Sequence, residues 1–133
     1  MARSFYVVGE ITAQIALPFL RDTARITDVV ISSPGGDIGL TYGMFDVAHS
    51  RKMNAHIVGL AQSAAAVLLQ GGKWRTMTNN SLLMFHWPEE AATPHLRLVE
   101  QLVEMVAKRA GMSIPEGRSL PRVGATRRVR VGR

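Results

Sequence analysis

Short β-branched runs alternate along this chain with longer stretches of helical spacing. "SFYVVGE" (residues 4–10) predicts a first strand, and "TAQIALPFLRDTAR" a helix with Thr12 at its N-cap and Pro18 as an interruption. "ITDVVIS" predicts a second strand, an apolar run suited to cover on both faces. A helix over Ile38 to Lys52 follows, with Leu40, Met44, Phe45 and Ala48 on one face. "NAHIVGLA" predicts a third strand, and "SAAAVLLQ" a short, almost wholly apolar helix that has to be buried. "KWRTMTNNSLLMFH" reads as two short strands around an Asn-Asn turn. "TPHLRLVEQLVEMVAKRA" is an amphipathic helix begun by Thr93 and Pro94 and ended by Gly111. Strands alternating with helices predict an α/β fold, a mostly parallel sheet with right-handed helical crossovers. Ligand sites in such sheets lie beyond the carboxyl ends of the strands.

Composition narrows this picture. At 133 residues and 47% apolar, the chain holds one globular domain. It has no cysteine, so disulfides and thiolate metal sites are excluded. No stretch has the ~18 apolar residues of a membrane span, and no signal peptide is expected, which makes a cytoplasmic protein the default. The net charge of +6 is unevenly placed. Residues 1–116 balance their charges, while 117–133, "GRSLPRVGATRRVRVGR", carry Arg and no acid. The expectation is a domain over 1–116 and a basic, disordered tail over 117–133. That tail has no aromatic side chain to stack on bases, so nucleic acid is not an expected partner.

Candidate chemistry gathers at strand ends. In "ISSPGGDIG" (31–39) a strand runs into Pro34, Gly35 and Gly36, as if bare N–H groups had to let something come close. Ser63 stands where the third strand gives way to a helix N-terminus, among Gly59, Ala61, Ala64, Ala65 and Ala66. The plain reading of such a serine is an N-cap. His86 ends the apolar strand of "SLLMFHWP" and could be a half-exposed hydrogen-bonder. Acyl transfer by a serine, however, needs a base with a pKa near 7 and donors aimed at the oxyanion. Ser63, His86 and the N–H groups of Gly36 and Ala64 would supply these. His49, His56 and His95 have weaker claims as the base.

"ISSPGG", "GLAQSAAAVLLQGG" and "LLMFHWPEE" together resemble the proteolytic subunit of the Clp protease, in the order and spacing of that family. The resemblance covers residues 5 to about 116. "SPGGD" and the Ser-Ala-Ala run are most similar to the Clp-like head-maturation proteases of phages. The resemblance implies the fold shared by this family and the crotonases, with a protruding handle formed by Glu89 to Arg109. It implies Ser63 as nucleophile, His86 as base, and the N–H groups of Gly36 and Ala64 as oxyanion hole, with no cofactor and no metal. Polypeptide substrates, a homo-oligomeric ring and an AAA+ unfoldase partner follow from it, with no membrane association.

The sequence departs from the family pattern in three places. Ala65 stands where a glycine is usual, and the loops that meet an unfoldase ring are not among these residues. The family's triad Asp lies a short way beyond the position of "AGMS" (110–113), yet here the last Asp is Asp46 and nothing acidic follows Glu116. A weak or inactive Clp-like serine endopeptidase is therefore the leading reading. A non-catalytic ring subunit or capsid-maturation component is the alternative. An acyl-CoA hydratase-like enzyme shares the architecture, but the Ser63/His86 pair argues against it.

Overall fold

The computed structural model describes residues 3–85 and the two-residue strand 127–128. Its strands are β1 (Ser4–Val8), β2 (Asp28–Ser33), β3 (Asn54–Gln62), β4 (Arg75–Met77), β5 (Leu82–Phe85) and β6 (Arg127–Arg128). Between them lie α1 (Ala13–Arg21), α2 (Ile38–Ser50) and α3 (Ala64–Gln70). The sheet order is β1-β2-β3-β5-β6, with β4 also paired to β3, and only β6 runs antiparallel to its neighbour. This is the parallel α/β architecture expected from the alternation of elements. The handle segment, the helix over 93–110 and His86 lie outside the described residues.

Alternation along the strands explains where the core sits. Val7, Val29, Ile31, Ala55, Ile57, Ala61 and Leu83 are buried, and with Phe19, Met44, Phe45, Met53, Leu68 and Leu69 they form one cluster. Each of the Val, Ile, Leu, Met and Phe side chains among them contributes about 1.5–3 kcal/mol when fully buried. The intervening positions Tyr6, Val8 and Val58 are exposed. The second strand is thus covered fully on one face only, its remaining residues being half-buried. α3 is too short to be stable alone in water. All of its residues are buried, and Ala64, Ala65 and Ala66 let its backbone approach the sheet.

Three details differ from the sequence-based expectation. Thr12 occupies the N-cap of α1, but its side chain makes no capping bond. β4 and β5 do not form a hairpin around Asn79-Asn80. Both run parallel to β3, pairing first with Ala55–Ile57 and then with Leu60–Gln62. The chain only steps aside between them, because Thr78 N–H still donates to Ile57 O at 3.1 Å and Ser81 Oγ accepts from Gly59 N–H at 2.8 Å. An Asn-Asn pair marks a turn, but the Thr78 N–H and the Ser81 hydroxyl take up the ladder bonds of β3 here and let the direction continue. Finally, Arg127–Arg128 of the tail expected to be disordered pair with Phe85 and Met84 as β6.

Two contacts pin the sheet at its ends. At the amino ends of the strands, His56 Nε2 lies 2.8 Å from Asp28 Oδ1 and His56 Nδ1 lies 2.6 Å from Thr76 Oγ1, linking β2, β3 and β4. Thr27 Oγ1 donates to the other carboxylate oxygen at 2.7 Å. At the carboxyl ends, Ile11 bridges Gly36 in parallel fashion: Ile11 N–H donates to Gly35 O at 2.8 Å and Asp37 N–H to Ile11 O at 3.0 Å.

Each contact yields a prediction. Burial raises the Asp28 pKa, but bonds from His56, Thr27 and Asn54 and the His56 charge outweigh it, holding the carboxyl below its ordinary value. A depressed carboxyl pKa contributes stability that is present above the unfolded value of about 3.9 and is lost as pH falls through the folded one. Asp28→Asn should therefore lower the urea midpoint at pH 7, and the gap to wild type should close under acid; a gap independent of pH refutes the assignment. At the other end, a Cβ on Gly36 would sit 2.3 Å from Ile11 O, whereas one on Gly43 meets nothing within 4 Å. Gly36→Ala should destabilise the fold, while Gly43→Ala, inside α2, should be neutral or stabilising by up to about 1 kcal/mol. Equal denaturation midpoints for the two variants would contradict the contact.

Candidate active site

β3 carries an irregularity that aims its end. Between the pairs Ile31↔Ile57 and Ser33↔Ala61, β2 advances two residues while β3 advances four. The excess is taken up around Gly59, at φ +93°, beside Ser32 Oγ. Bulges of this kind redirect the strand that follows them. The redirected strand ends at Gln62, α3 begins at Ala64, and Ser63 alone makes the turn.

Ser63 is half-buried and has φ 56° and ψ −123°. It is one of two residues other than glycine with positive φ among the described residues, Lys52 being the other. An L-residue held there is strained by about 1–3 kcal/mol and needs surrounding contacts to keep it in place. Those contacts are backbone ones. Ser63 N–H donates to Met84 O of β5 at 3.0 Å, and Ser63 O accepts from Ala66 and Val67 at 3.0 and 3.3 Å. The side chain makes no capping hydrogen bond, so the simple N-cap explanation does not describe this serine. A strand-to-helix turn with positive φ is the geometry that lifts a serine hydroxyl clear of its own backbone.

The two glycines of "SPGG" have different reasons to be bare, and both lie within this chain. A Cβ on Gly35 would come within 2.8 Å of Gln62 O, 3.1 Å of Ser63 Cβ and 3.2 Å of Ala64 N. Gly35 therefore lies directly against the Ser63 turn. Gly36 lies against Ile11, as described above, so the steric need expected from an incoming ligand is met here by the chain's own backbone. In the parallel bridge the bonds to Ile11 come from residues 35 and 37, which leaves the Gly36 N–H on the side away from Ile11. Neither the Gly36 nor the Ala64 N–H donates to another described residue. Ser63, Gly36 and Ala64 are thus placed at one end of the sheet. His86 and His95 lie outside the described residues.

The other two histidines are accounted for. His56 is held between Asp28 and Thr76 at the opposite end of β3, and His49 stacks on Phe45 with centroids 5.9 Å apart. The Asp28–His56 pair escapes inspection of the sequence, since 28 residues separate its members. The signal available is that polar residues stand at the first position of one parallel strand and the third of the next.

Comparison with known proteins agrees with this geometry. The chain is 32% identical to the ATP-dependent Clp protease proteolytic subunit 1 of Thermobifida fusca (strain YX) over 124 residues. That match takes in 81% of this chain and spans 56% of the length of the relative. A point mutant of ClpP1 from Listeria monocytogenes superposes with a TM-score of 0.78 at 20% identity, over 90% of this chain and 80% of that one, which establishes a common fold. The family profile described as Clp protease matches residues 4–114, and the chain, with its parallel sheet and its serine turn at the carboxyl end of β3, belongs to that family.

Proposed function

We propose that this chain is a Clp-like serine endopeptidase in which Ser63 is the nucleophile, His86 the general base, and the N–H groups of Gly36 and Ala64 the oxyanion hole. The observation that carries the reading is the Ser63 turn: positive φ, a side chain not spent on capping, and Gly35 packed against it. In this mechanism Ser63 Oγ attacks the peptide carbonyl carbon as its proton passes to His86. Negative charge collects on the former carbonyl oxygen, where two N–H groups in a water-poor site stabilise it strongly. His86 returns the proton to the leaving amine, and water then hydrolyses the acyl ester by the same steps in reverse. Polypeptides are the substrates, and no metal or cofactor enters. A ring of identical chains in the cytoplasm, served by an AAA+ unfoldase, is the assembly this reading favours. The Thermobifida relative is a subunit of an ATP-dependent protease, which supports that partner. Among the described residues no helix is long and apolar enough to cross a membrane.

A second reading has its own observation. No Asp follows Asp46, and no acid follows Glu116. Without a carboxylate to hold the imidazole in the right tautomer and support its positive charge, turnover in a serine protease of another fold drops about 10⁴-fold. This chain would then act mainly as a ring subunit or capsid-maturation component that retains the fold.

Two measurements separate the readings. A fluorophosphonate probe should label Ser63 in the first and leave it unmodified in the second. The Ser63→Ala protein should keep its far-UV circular dichroism and lose all hydrolysis of fluorogenic peptides above background; unchanged turnover ends the serine-peptidase reading. The 133-residue chain should hydrolyse such peptides feebly. Replacing residues 117–133 by a family-like segment that contains an Asp should raise the rate by orders of magnitude. Robust turnover without the graft would show that Ser63 and His86 suffice.

A further inference from the structure

At the foot of β3 an open notch of about 250 Å³ is lined by His49, Lys52, Gly71 and Lys73. Among the described residues its walls hold basic side chains and a glycine, with no acid. The ordinary explanation of cations at this place is that they cap the carbonyl groups at the ends of α2 and α3. Backbone groups already do so. Arg51, Lys52 and Met53 N–H donate to Val47, His49 and Ala48 O, and Gly71 and Gly72 N–H to Leu68 and Leu69 O. Among the described residues, the ammonium groups of Lys52 and Lys73 have neither an ion pair nor a hydrogen bond.

Lys52 is also an unusual choice. The Met53→Ala48 and Lys52→His49 bonds form a Schellman turn, in which the residue at the left-handed position is most often glycine. Lys52 occupies that position at φ 54°, a conformation unfavourable to any residue with a Cβ. The next segment brings Lys73 to the same notch, its backbone N–H donating to Met53 O at 2.7 Å. His49 completes the wall, its ring fixed flat on Phe45 with an interplanar angle of 7°.

We propose that this notch binds a phosphate-type oxyanion, held between the Lys52 and Lys73 ammonium groups with His49 as an additional donor. Such a ligand supplies the anionic partner that the described residues do not give the lysines, and gives the left-handed Lys52 a reason to be a lysine. The nine residues of β3 lie between Ser63 and the lysine end of the notch, and the seven of α3 lie between Ser63 and Gly71, so the notch is distinct from the serine turn.

Isothermal titration calorimetry on the full chain tests this with inorganic phosphate and pyrophosphate, against acetate at matched ionic strength. Saturable binding, tighter for pyrophosphate and absent for acetate, is expected. Lys52→Gly removes the ammonium group and relieves the backbone, so it should fold at least as well as wild type and bind roughly threefold more weakly. Lys73→Arg should retain binding and Lys73→Gln weaken it similarly, and the Lys52→Gly/Lys73→Gln double variant should bind roughly tenfold more weakly than wild type. Acetate binding as well as phosphate, or full phosphate binding by the double variant, overturns the proposal.

Discussion

The structure depends on how closely three backbone segments approach one another at the carboxyl ends of β1, β2 and β3. Gly35 lies against Gln62, Ser63 and Ala64, and Gly36 lies against Ile11. No side chain, even a methyl group, fits at either point without displacing main chain. Between them the two contacts tie the loop after β1, the loop after β2 and the turn after β3 into one unit. The Ser63 conformation is unfavourable by itself and persists because this unit and the Met84 carbonyl hold it. Positioning of the serine is therefore a property of main-chain packing rather than of side-chain bonds.

Burial of α3 serves the same end. A helix with three alanines in its first turn has little helix-stabilising surface of its own to offer, but it allows the backbone to sit close under β3 and β2. Larger residues at Ala64 to Ala66 would push the helix away and move its free N–H groups from the turn they flank. The apolar mass that secures the helix comes later, from Val67, Leu68 and Leu69 in the core cluster. Small residues set the approach and large ones provide the stability.

Much of this was legible in the chain because period and punctuation agree. β-branched runs ended by Pro-Gly-Gly or by a lone serine mark parallel strands that give way to helices, and the order of those signals identifies both the sheet and the serine turn. The direction of β5 was not legible. Asn79-Asn80 carries a turn signal, and only the tertiary partners of Thr78 and Ser81 decide that the chain steps aside instead of reversing. The role of Gly36 was half legible. Its need for bare backbone follows from sequence, but the neighbour that requires it, Ile11, comes from a loop 25 residues earlier.

Parallel strands also separate the molecule's chemistry into two ends. Carboxyl ends gather Gly36, Ser63 and Ala64, where N–H groups with no acceptor among the described residues favour negative charge. Amino ends gather Asp28, His56 and Thr76 in one hydrogen-bonded chain, and His49, Lys52 and Lys73 in another cluster that has no acid among the described residues. The two polar groups at the amino ends differ in kind. In the first, each charge or dipole already has its partner, so its effect is on stability. In the second, the described residues give the lysine ammonium groups no partner, and Lys52 takes a left-handed conformation that glycine would adopt more easily. Strain that stability does not require is the mark by which a binding role is distinguished from a structural one.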